Sequence, residues 1–391
     1  MSQRPPTIVR KLRHDVNQQP FIVIWEVTRA CDLVCQHCRA DAVHQRNPFE
    51  LSTDEGRNLL DEIARFGPPH PLVVLTGGDP FMRDDLVDLI AHGTARGLNI
   101  ALSPSVTPRV DRQVLAEMRA AGARAVSLSL DGPDAASHDG FRGVDGVFDA
   151  TIDAAHTVRE LGFRLQLNTT VTRSTVDGLP DVLRHVVDMG AFLWSVFFLV
   201  TTGRGSQLQP LDAPQTEDVL HWLADVSHHV AVKTTEAPHF RRVVLQRAAA
   251  AAQGAVPAPR GPLHQRLHEG LDELRAARTL DDRVPRPPID VNAGRGFAFV
   301  DHVGGVYPSG FLPLPAGSVR ERSLVEIYRE APLFRALRRP GGFGGRCGSC
   351  EFRTVCGGSR SRAYALTGDP LAEDASCVHQ PRPASPLTVE A

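Results

Sequence analysis

Trp25-Glu26-Val27-Thr28-Arg29-Ala30-Cys31-Asp32-Leu33-Val34-Cys35-Gln36-His37-Cys38 carries three cysteines at the spacing C-x3-C-x2-C, directly after the apolar run Phe21-Ile22-Val23-Ile24. Three thiolates on one short loop point first to a metal, because thiolate is a soft ligand suited to iron–sulfur clusters or zinc. A structural zinc site closes with four protein ligands, and here no fourth cysteine follows until Cys347. A [4Fe–4S] cluster held by Cys31, Cys35 and Cys38 would keep one iron free for a small molecule. Zinc or an unrelated thiol cluster is the alternative.

Bulk composition narrows the class. A chain of 391 residues exceeds one average domain, so a large domain plus a smaller one is expected. Hydrophobic residues make up 42%, enough for a sizeable core, and 43 basic against 45 acidic residues leave a formal net charge of −2. That balance gives no global field for nucleic acid or a membrane surface. Seven cysteines fall into two groups, residues 31–38 and 347–377, which argues for metal ligands in a reducing compartment rather than disulfides. The segment Met1–Val16 lacks an apolar stretch of signal-peptide length, and no run approaches the ~18 apolar residues of a membrane span. A cytoplasmic protein is expected.

From residue 21 onward, short β-branched runs alternate with helical stretches, the mark of a parallel α/β sheet. Strands are predicted at 21–27, 71–76, 99–103, 124–130, 163–171 and 192–199. Helices are predicted near 54–66, 83–96, 111–121, 146–161 and 176–189. Six such units fit a partial barrel, and a doubly wound sheet shares the same periodicity. The expected divisions are a lead-in over 1–20, the barrel over 21–235, a helical linker or lid over 236–295 and a cysteine-bearing domain over 296–391. Alanine, proline, glycine and arginine crowd residues 250–290, which is linker chemistry. His228, His229, His239, His264 and His268 have no ligand spacing and are expected on the surface.

In either fold, ligands gather at the carboxyl ends of the strands. After strand two stands Thr76-Gly77-Gly78-Asp79-Pro80, where two glycines permit close backbone approach; an ordinary Gly-Gly turn is the plainer reading. Strand three ends at Ser103-Pro104-Ser105, strand four at Ser129-Leu130-Asp131-Gly132 with Arg142 downstream, and strand five at Asn168. Asp131-Gly132-Pro133 could equally be turn chemistry. Phe192 to Leu199 is nearly all apolar and reads as core, while Thr201 to Gly205 could line a site.

Together with the cysteine triad, these segments closely resemble the signature of the radical S-adenosylmethionine (SAM) superfamily. The resemblance implies a partial (β/α)6 TIM-like barrel in which Cys31, Cys35 and Cys38 hold a catalytic [4Fe–4S] cluster. Its open iron would chelate the amino and carboxylate groups of SAM. Gly77, Gly78 and Asp79 are similar to the family's GGEP motif, with Asp79 in place of the usual Glu, which implies contact with the SAM amino group. Ser129, Asp131 and Arg142 resemble its S-x-D-G and R-G motifs, a guanidinium being suited to a carboxylate. Asn168 is implied near the ribose, and Ser103 and Ser105 stand where many relatives carry Thr-Asn-Gly.

The second group, Cys347, Cys350, Cys356 and Cys377, is spaced C-x2-C-x5-C-x20-C behind a hairpin-like Phe297–His302 and Val306-Tyr307-Pro308. Four thiolates suit zinc. However, Cys356-Gly357-Gly358, Arg362-Ala363-Tyr364 and Gly368-Asp369-Pro370 strongly resemble the small α+β auxiliary domain of SPASM/twitch radical SAM enzymes. That implies a second, fully ligated [4Fe–4S] cluster serving as electron relay. The resemblance covers residues 20–200 and 297–380. It implies that a low-potential donor such as flavodoxin or ferredoxin supplies an electron, and that SAM is cleaved to a 5′-deoxyadenosyl radical which takes hydrogen from a substrate. Relatives sharing the C-terminal motifs act on tetrapyrrole propionates or mature ribosomal peptides. His37-Cys38-Arg39-Ala40 and the single four-cysteine group are closer to the haem-tailoring set, and the short lead-in is expected to hold no peptide-binding module. A non-catalytic zinc or electron-carrier protein would explain the cysteines but not the residues at successive strand ends.

Overall fold

The computed structural model describes residues 8–12, 14–255 and 260–382. The start of the predicted lead-in, residues 256–259 of the predicted linker and the end of the C-terminal domain lie outside the described residues. Strands β1 (Ile22–Thr28), β2 (Leu72–Gly77), β3 (Asn99–Leu102), β4 (Ala125–Ser129), β5 (Arg164–Val171), β6 (Leu193–Phe198) and β7 (Val232–Thr235) run parallel in one sheet. β8 (Phe297–Val300) joins beside β1, also parallel, and β9 (Gly305–Tyr307) and β10 (Gly317–Ser318) extend that edge antiparallel. The order is β10-β9-β8-β1-β2-β3-β4-β5-β6-β7.

The six expected strands are all present, each beginning and ending within one residue of its predicted bound. Two features differ from expectation. The barrel gains a seventh strand, because β7 reads Val232-Lys233-Thr234-Thr235 and is too short and polar to show an apolar pattern. The predicted cysteine domain also contributes β8 to the barrel edge, so its hairpin is continuous with the sheet. A parallel strand buried on both faces gains from a partner on each side, and β1 finds its second partner in this distant segment.

Helices α1 (Thr53–Ala64), α2 (Leu86–Ala95), α3 (Arg112–Ala121), α4 (Ala135–Arg142), α5 (Val147–Glu160), α6 (Leu179–Asp188) and α7 (Ala213–Val226) connect the parallel strands. Ser52 opens α1 in a capping box with Glu55, while Asp111, Asp134 and Asp212 accept from the first-turn N–H groups of α3, α4 and α7. On β4, Val126 and Leu128 are fully buried, whereas Ala125, Ser127 and Ser129 are half-buried on the opposite, concave face. In-register pairing then aligns Ser129, Asn168, Ser195 and Lys233 in one row from β4 to β7. The next row out of phase, Leu167, Trp194 and Val232, is buried on the other face, where Trp194 meets Trp222 of α7 edge-on at 6.0 Å.

The predicted linker or lid is largely helical and packed. It contains α8 (Phe240–Ala252) and α9 (Pro262–Ala276). α9 buries Leu263, Leu267, Leu271 and Leu274, a helical stripe that the surrounding alanine and proline content masks. Trp222 Nε1 donates to the Leu267 carbonyl at 2.8 Å, fastening α9 to α7. Two of the histidines expected on the surface are buried as well: His264 on α9, 3.2 Å from Asp225, and His239 at the start of α8. The C-terminal region adds α10 (Leu324–Glu330), α11 (Pro332–Leu337), α12 (Gly345–Ser349) and α13 (Arg360–Thr367). No helix among the described residues is long and apolar enough to cross a membrane.

If α9 is core, Leu271→Ala should cost about 2–5 kcal/mol, whereas the exposed Glu269→Ala should stay within about 0.5 kcal/mol. Urea unfolding of both variants checks this. Equal stabilities would mean that α9 is a lid after all.

Candidate functional site

The cysteine loop leaves β1 and is held mainly through its backbone. Cys31 N–H donates to the Val43 carbonyl at 2.8 Å, and Val43 N–H donates to the Arg29 carbonyl at 3.2 Å. Arg204 grips the far side: its backbone N–H reaches the Cys38 carbonyl at 3.0 Å, and its guanidinium donates to the carbonyls of Cys35 and Ala42 at 2.9 and 3.1 Å. Gly203 beside it has φ +55°, and a Cβ there would lie 2.4 Å from the Cys38 carbonyl oxygen. Only glycine fits this approach.

Each of the three sulfurs receives one N–H. Leu33 N–H lies 3.4 Å from Cys31 Sγ, Ala42 N–H 3.4 Å from Cys38 Sγ, and Arg142 Nη1 3.6 Å from Cys35 Sγ. Donors directed at sulfur stabilise the thiolate that a soft metal requires. Burial nevertheless pushes the Cys31 thiol up to about 11, so a metal binding there must displace a proton.

Asp131 and Arg142, both expected near SAM, are paired with one another. Arg142 Nη2 donates to Asp131 Oδ2 at 2.5 Å, and Thr170 N–H donates to Asp131 Oδ1 at 2.6 Å. Both side chains are buried. Burial would raise the Asp131 carboxyl, but Arg142 and then His37 outweigh it and hold the group below its usual range. His37 stacks on Phe141 at 4.5 Å, and its own burial pushes it down to about 4.

Gly77 and Gly78 approach the same loop from β2. A Cβ on Gly77 would lie 2.4 Å from the Thr28 carbonyl oxygen, and one on Gly78 would lie 2.3 Å from that of Ala30. Gly78 and Asp79 N–H groups bond those two carbonyls at 2.9 and 2.7 Å. Asp79 is fully buried, accepts from Thr107 Oγ1 at 2.9 Å, and is pushed up to about 6 by burial. Ser105 Oγ donates to the Gly78 carbonyl at 2.7 Å and accepts from the Cys31 thiol at 3.4 Å. Ser103, Ser129 and Asn168 are half-buried, the last accepting from Gln166 Nε2 at 2.7 Å.

Beneath the loop sits a network that the motifs do not announce. Glu26 of β1 takes Arg39 Nη2 at 2.5 Å and His302 Nδ1 at 3.0 Å, and Arg39 lies over the Phe299 ring at 4.6 Å. Burial would raise the Glu26 carboxyl, yet Arg39 and His302 keep it low. An acidic residue within an otherwise apolar strand was the available signal.

Cys347, Cys350, Cys356 and Cys377 line a single cavity together with His239 and Asp374. Asp374 N–H and Arg360 Nη2 approach Cys347 Sγ at 3.4 and 3.6 Å, Phe352 N–H approaches Cys350 Sγ at 3.3 Å, and Arg242 Nη2 approaches Cys377 Sγ at 3.9 Å. Gly357 and Gly358 both adopt positive φ, and a Cβ on Gly358 would come within 3.0 Å of Cys347 Sγ. Burial pushes the Cys356 thiol up to about 12. Glu236, at the end of β7 with φ +57°, ties this region to the barrel. Its carboxylate accepts the hydroxyls of Ser309, Ser359 and Ser361 at 3.1, 2.5 and 3.0 Å.

The arrangement therefore has two thiol sites of different kinds. One offers three sulfurs on the loop that follows β1, and the other offers four around a cavity of its own. Either donor set suits an iron–sulfur cluster.

Comparison with known proteins agrees with this geometry. Residues 25–186 match the family described as the Radical SAM superfamily. The chain is 38% identical over 369 residues to the AdoMet-dependent heme synthase of Nitratidesulfovibrio vulgaris, covering 93% of this chain and 94% of that protein. It is 31% identical over 366 residues to the pre-heme d1 synthase of Dinoroseobacter shibae, covering 91% and 85%. Among solved structures, Streptococcus suis SuiB bound to precursor peptide SuiA aligns with a TM-score of 0.65 at 15% identity, over 93% of this chain and 76% of that one. The chain belongs to the radical SAM superfamily, whose members bind S-adenosylmethionine and a [4Fe–4S] cluster.

Proposed function

We propose that this enzyme uses SAM radical chemistry on a tetrapyrrole bearing carboxylate side chains. The observation that carries the reading is the loop on which Cys31, Cys35 and Cys38 each receive one N–H donor, in a chain 38% identical to a haem synthase over nearly its full length. These three cysteines hold the catalytic [4Fe–4S] cluster. When bound, that cluster supplies the electron that cleaves SAM and so generates the hydrogen-abstracting radical. Gly77, Gly78 and Asp79 receive the SAM amino group, while Ser103 after β3, Ser129 on β4 and Asn168 on β5 face its nucleoside end. Asp131 and Arg142 position the loop: the pair is buried, and its guanidinium reaches Cys35. Cys347, Cys350, Cys356 and Cys377 hold a second [4Fe–4S] cluster with no open ligand position, which suits electron transfer. A low-potential donor such as flavodoxin or ferredoxin supplies the electrons.

Anaerobic reconstitution tests the cluster assignment. Wild type should bind about eight irons per chain and a Cys31/Cys35/Cys38→Ala variant about four, as two [4Fe–4S] centres require, with SAM cleavage under dithionite only in the wild type. Four irons in both proteins, or cleavage by the variant, would overturn it.

Removing one member of a buried ion pair strands the other. Arg142→Ala should therefore lower apoprotein stability by about 3–5 kcal/mol and reduce iron retention at the three-cysteine loop. Chemical unfolding and iron analysis of the variant check both effects, and unchanged stability would remove Arg142 from this role.

Asp79 keeps its proton to about pH 6 in the folded apoprotein, against about 4 in an unfolded chain. The stability from this group is fully present below pH 4 and is lost as pH rises through 6. Asp79→Asn should flatten that decline in the apoprotein melting temperature between pH 4 and 7. Parallel Tm–pH curves for the two proteins would refute the shifted ionisation.

A further inference from the structure

We propose that Asp225 of α7 and His264 and His268 of α9 form a site for a divalent transition-metal ion, for which zinc serves as the probe. Neither thiol site uses these residues, and the proposal stands apart from the tetrapyrrole reading.

Four positions separate His264 from His268, a spacing without meaning while residues 250–290 read as linker. Once Pro262–Ala276 is a helix, the two imidazoles share one face, the arrangement by which a helix holds zinc through two histidines. Their rings stack at 5.3 Å and 17°. Asp225, in the last turn of α7, reaches across from the facing helix. Its Oδ2 lies 3.2 Å from His264 Nε2 and 3.8 Å from His268 Nδ1. One donor atom from each residue falls within 4.8 Å of the other two. Tetrahedral zinc with ligands at ~2.0–2.2 Å holds its donor atoms about 3.4 Å apart. The Asp225–His264 pair already has that spacing, and rotation of the His268 side chain, 35% exposed, brings in the third donor.

Hydrogen bonding alone does not account for the cluster. The His264–Asp225 contact is a hydrogen bond, but His268 Nδ1 is buried without any hydrogen-bond partner among the described residues. A ring nitrogen taken out of water beside a carboxylate that it does not bond is costly, and a metal ion relieves that cost by taking its lone pair. The carboxylate is held ready for this. Arg247 Nη2 donates to Asp225 Oδ1, and Arg247 Nη1 donates to the His221 carbonyl at 3.0 Å. Oδ2 is thereby turned to the imidazoles, and metal sites depend on ligands oriented by such partners. The same guanidinium narrows the choice of ion, with Arg260 a second positive charge near Asp225. Hard cations such as Ca2+ and Mg2+ need several oxygen ligands, and the arginines oppose them. Two imidazoles and one carboxylate suit zinc and its first-row neighbours, with water completing the shell on the exposed side of His268. Once bound, the ion joins α9 to α7 alongside the Trp222–Leu267 hydrogen bond.

Anaerobically reconstituted enzyme, with iron occupying the cysteines, is titrated with zinc chloride in equilibrium dialysis. Wild type should bind about one zinc per chain, as a single three-residue site requires. His268→Ala should weaken that binding at least about tenfold, the lower end of what loss of a mere supporting partner costs a metal site. His156→Ala, at an exposed position of α5, should leave it unchanged. Zinc-edge X-ray absorption should show nitrogen and oxygen donors. A second measurement needs no variant: diethyl pyrocarbonate modification of wild-type histidines, followed by peptide mass spectrometry. At a zinc concentration about ten times Kd, modification of His268 should slow about tenfold, because only metal-free protein reacts, while that of His156 continues at its own rate. Equal zinc affinity in wild type and His268→Ala, a zinc shell of sulfur alone, or modification of His268 that zinc does not slow would each overturn the site.

Discussion

The buried Arg142–Asp131 pair is the constraint around which the catalytic end of the barrel is arranged. Two charges leave water there, and each is held by more than its counterpart: Asp131 by the Thr170 N–H, Arg142 by the sulfur of Cys35. Such a pair contributes little net stability compared with apolar packing, but it punishes any geometry other than its own. It links the ends of β4 and β5, the last turn of α4 and the cysteine loop. The loop's position is thus fixed by an interaction that tolerates no slack, while Gly77 and Gly78 fix the opposite side through contacts too close for any Cβ.

A second buried network ties the four-cysteine site to the barrel. Glu236 sits in a left-handed conformation at the end of β7, accepts three serine hydroxyls, and presents its carbonyl to Arg362 Nη2 at 2.9 Å. Arg362 in turn pairs with the buried Asp374, whose N–H approaches Cys347. A continuous set of hydrogen bonds therefore runs from the barrel wall to the four-cysteine cavity. Buried polar chains of this kind are rigid when every member is satisfied, so the four-cysteine cavity is held in a fixed position on the barrel wall.

Much of this was legible in the residues. The strands announced themselves as short β-branched runs alternating with helical stretches, and the cysteine spacings because few chemistries need three thiols on one loop. Leu263, Leu267, Leu271 and Leu274 were equally regular but lay within a composition typical of linkers. Lys233 and β7 were hidden for a different reason: four residues with one apolar side chain carry no periodicity, and only the register with Ser195 reveals which way they face. Asp131 and Arg142 were recognised as important residues, yet a linear motif does not say that the two charges also meet each other. Glu26 and His302, 276 residues apart, could be joined only in three dimensions.

The pairing of β8 with β1 has a temporal side. The ribosome delivers β1 first and β8 last among the parallel strands, so one edge of β1 stays without its partner while some 270 intervening residues are made, on the order of tens of seconds at cellular elongation rates. During that interval the edge is an open template for mispairing, and Glu26 beneath the cysteine loop lacks His302, its later-arriving brace. The newborn chain thus presents three thiols before the wall behind them is complete.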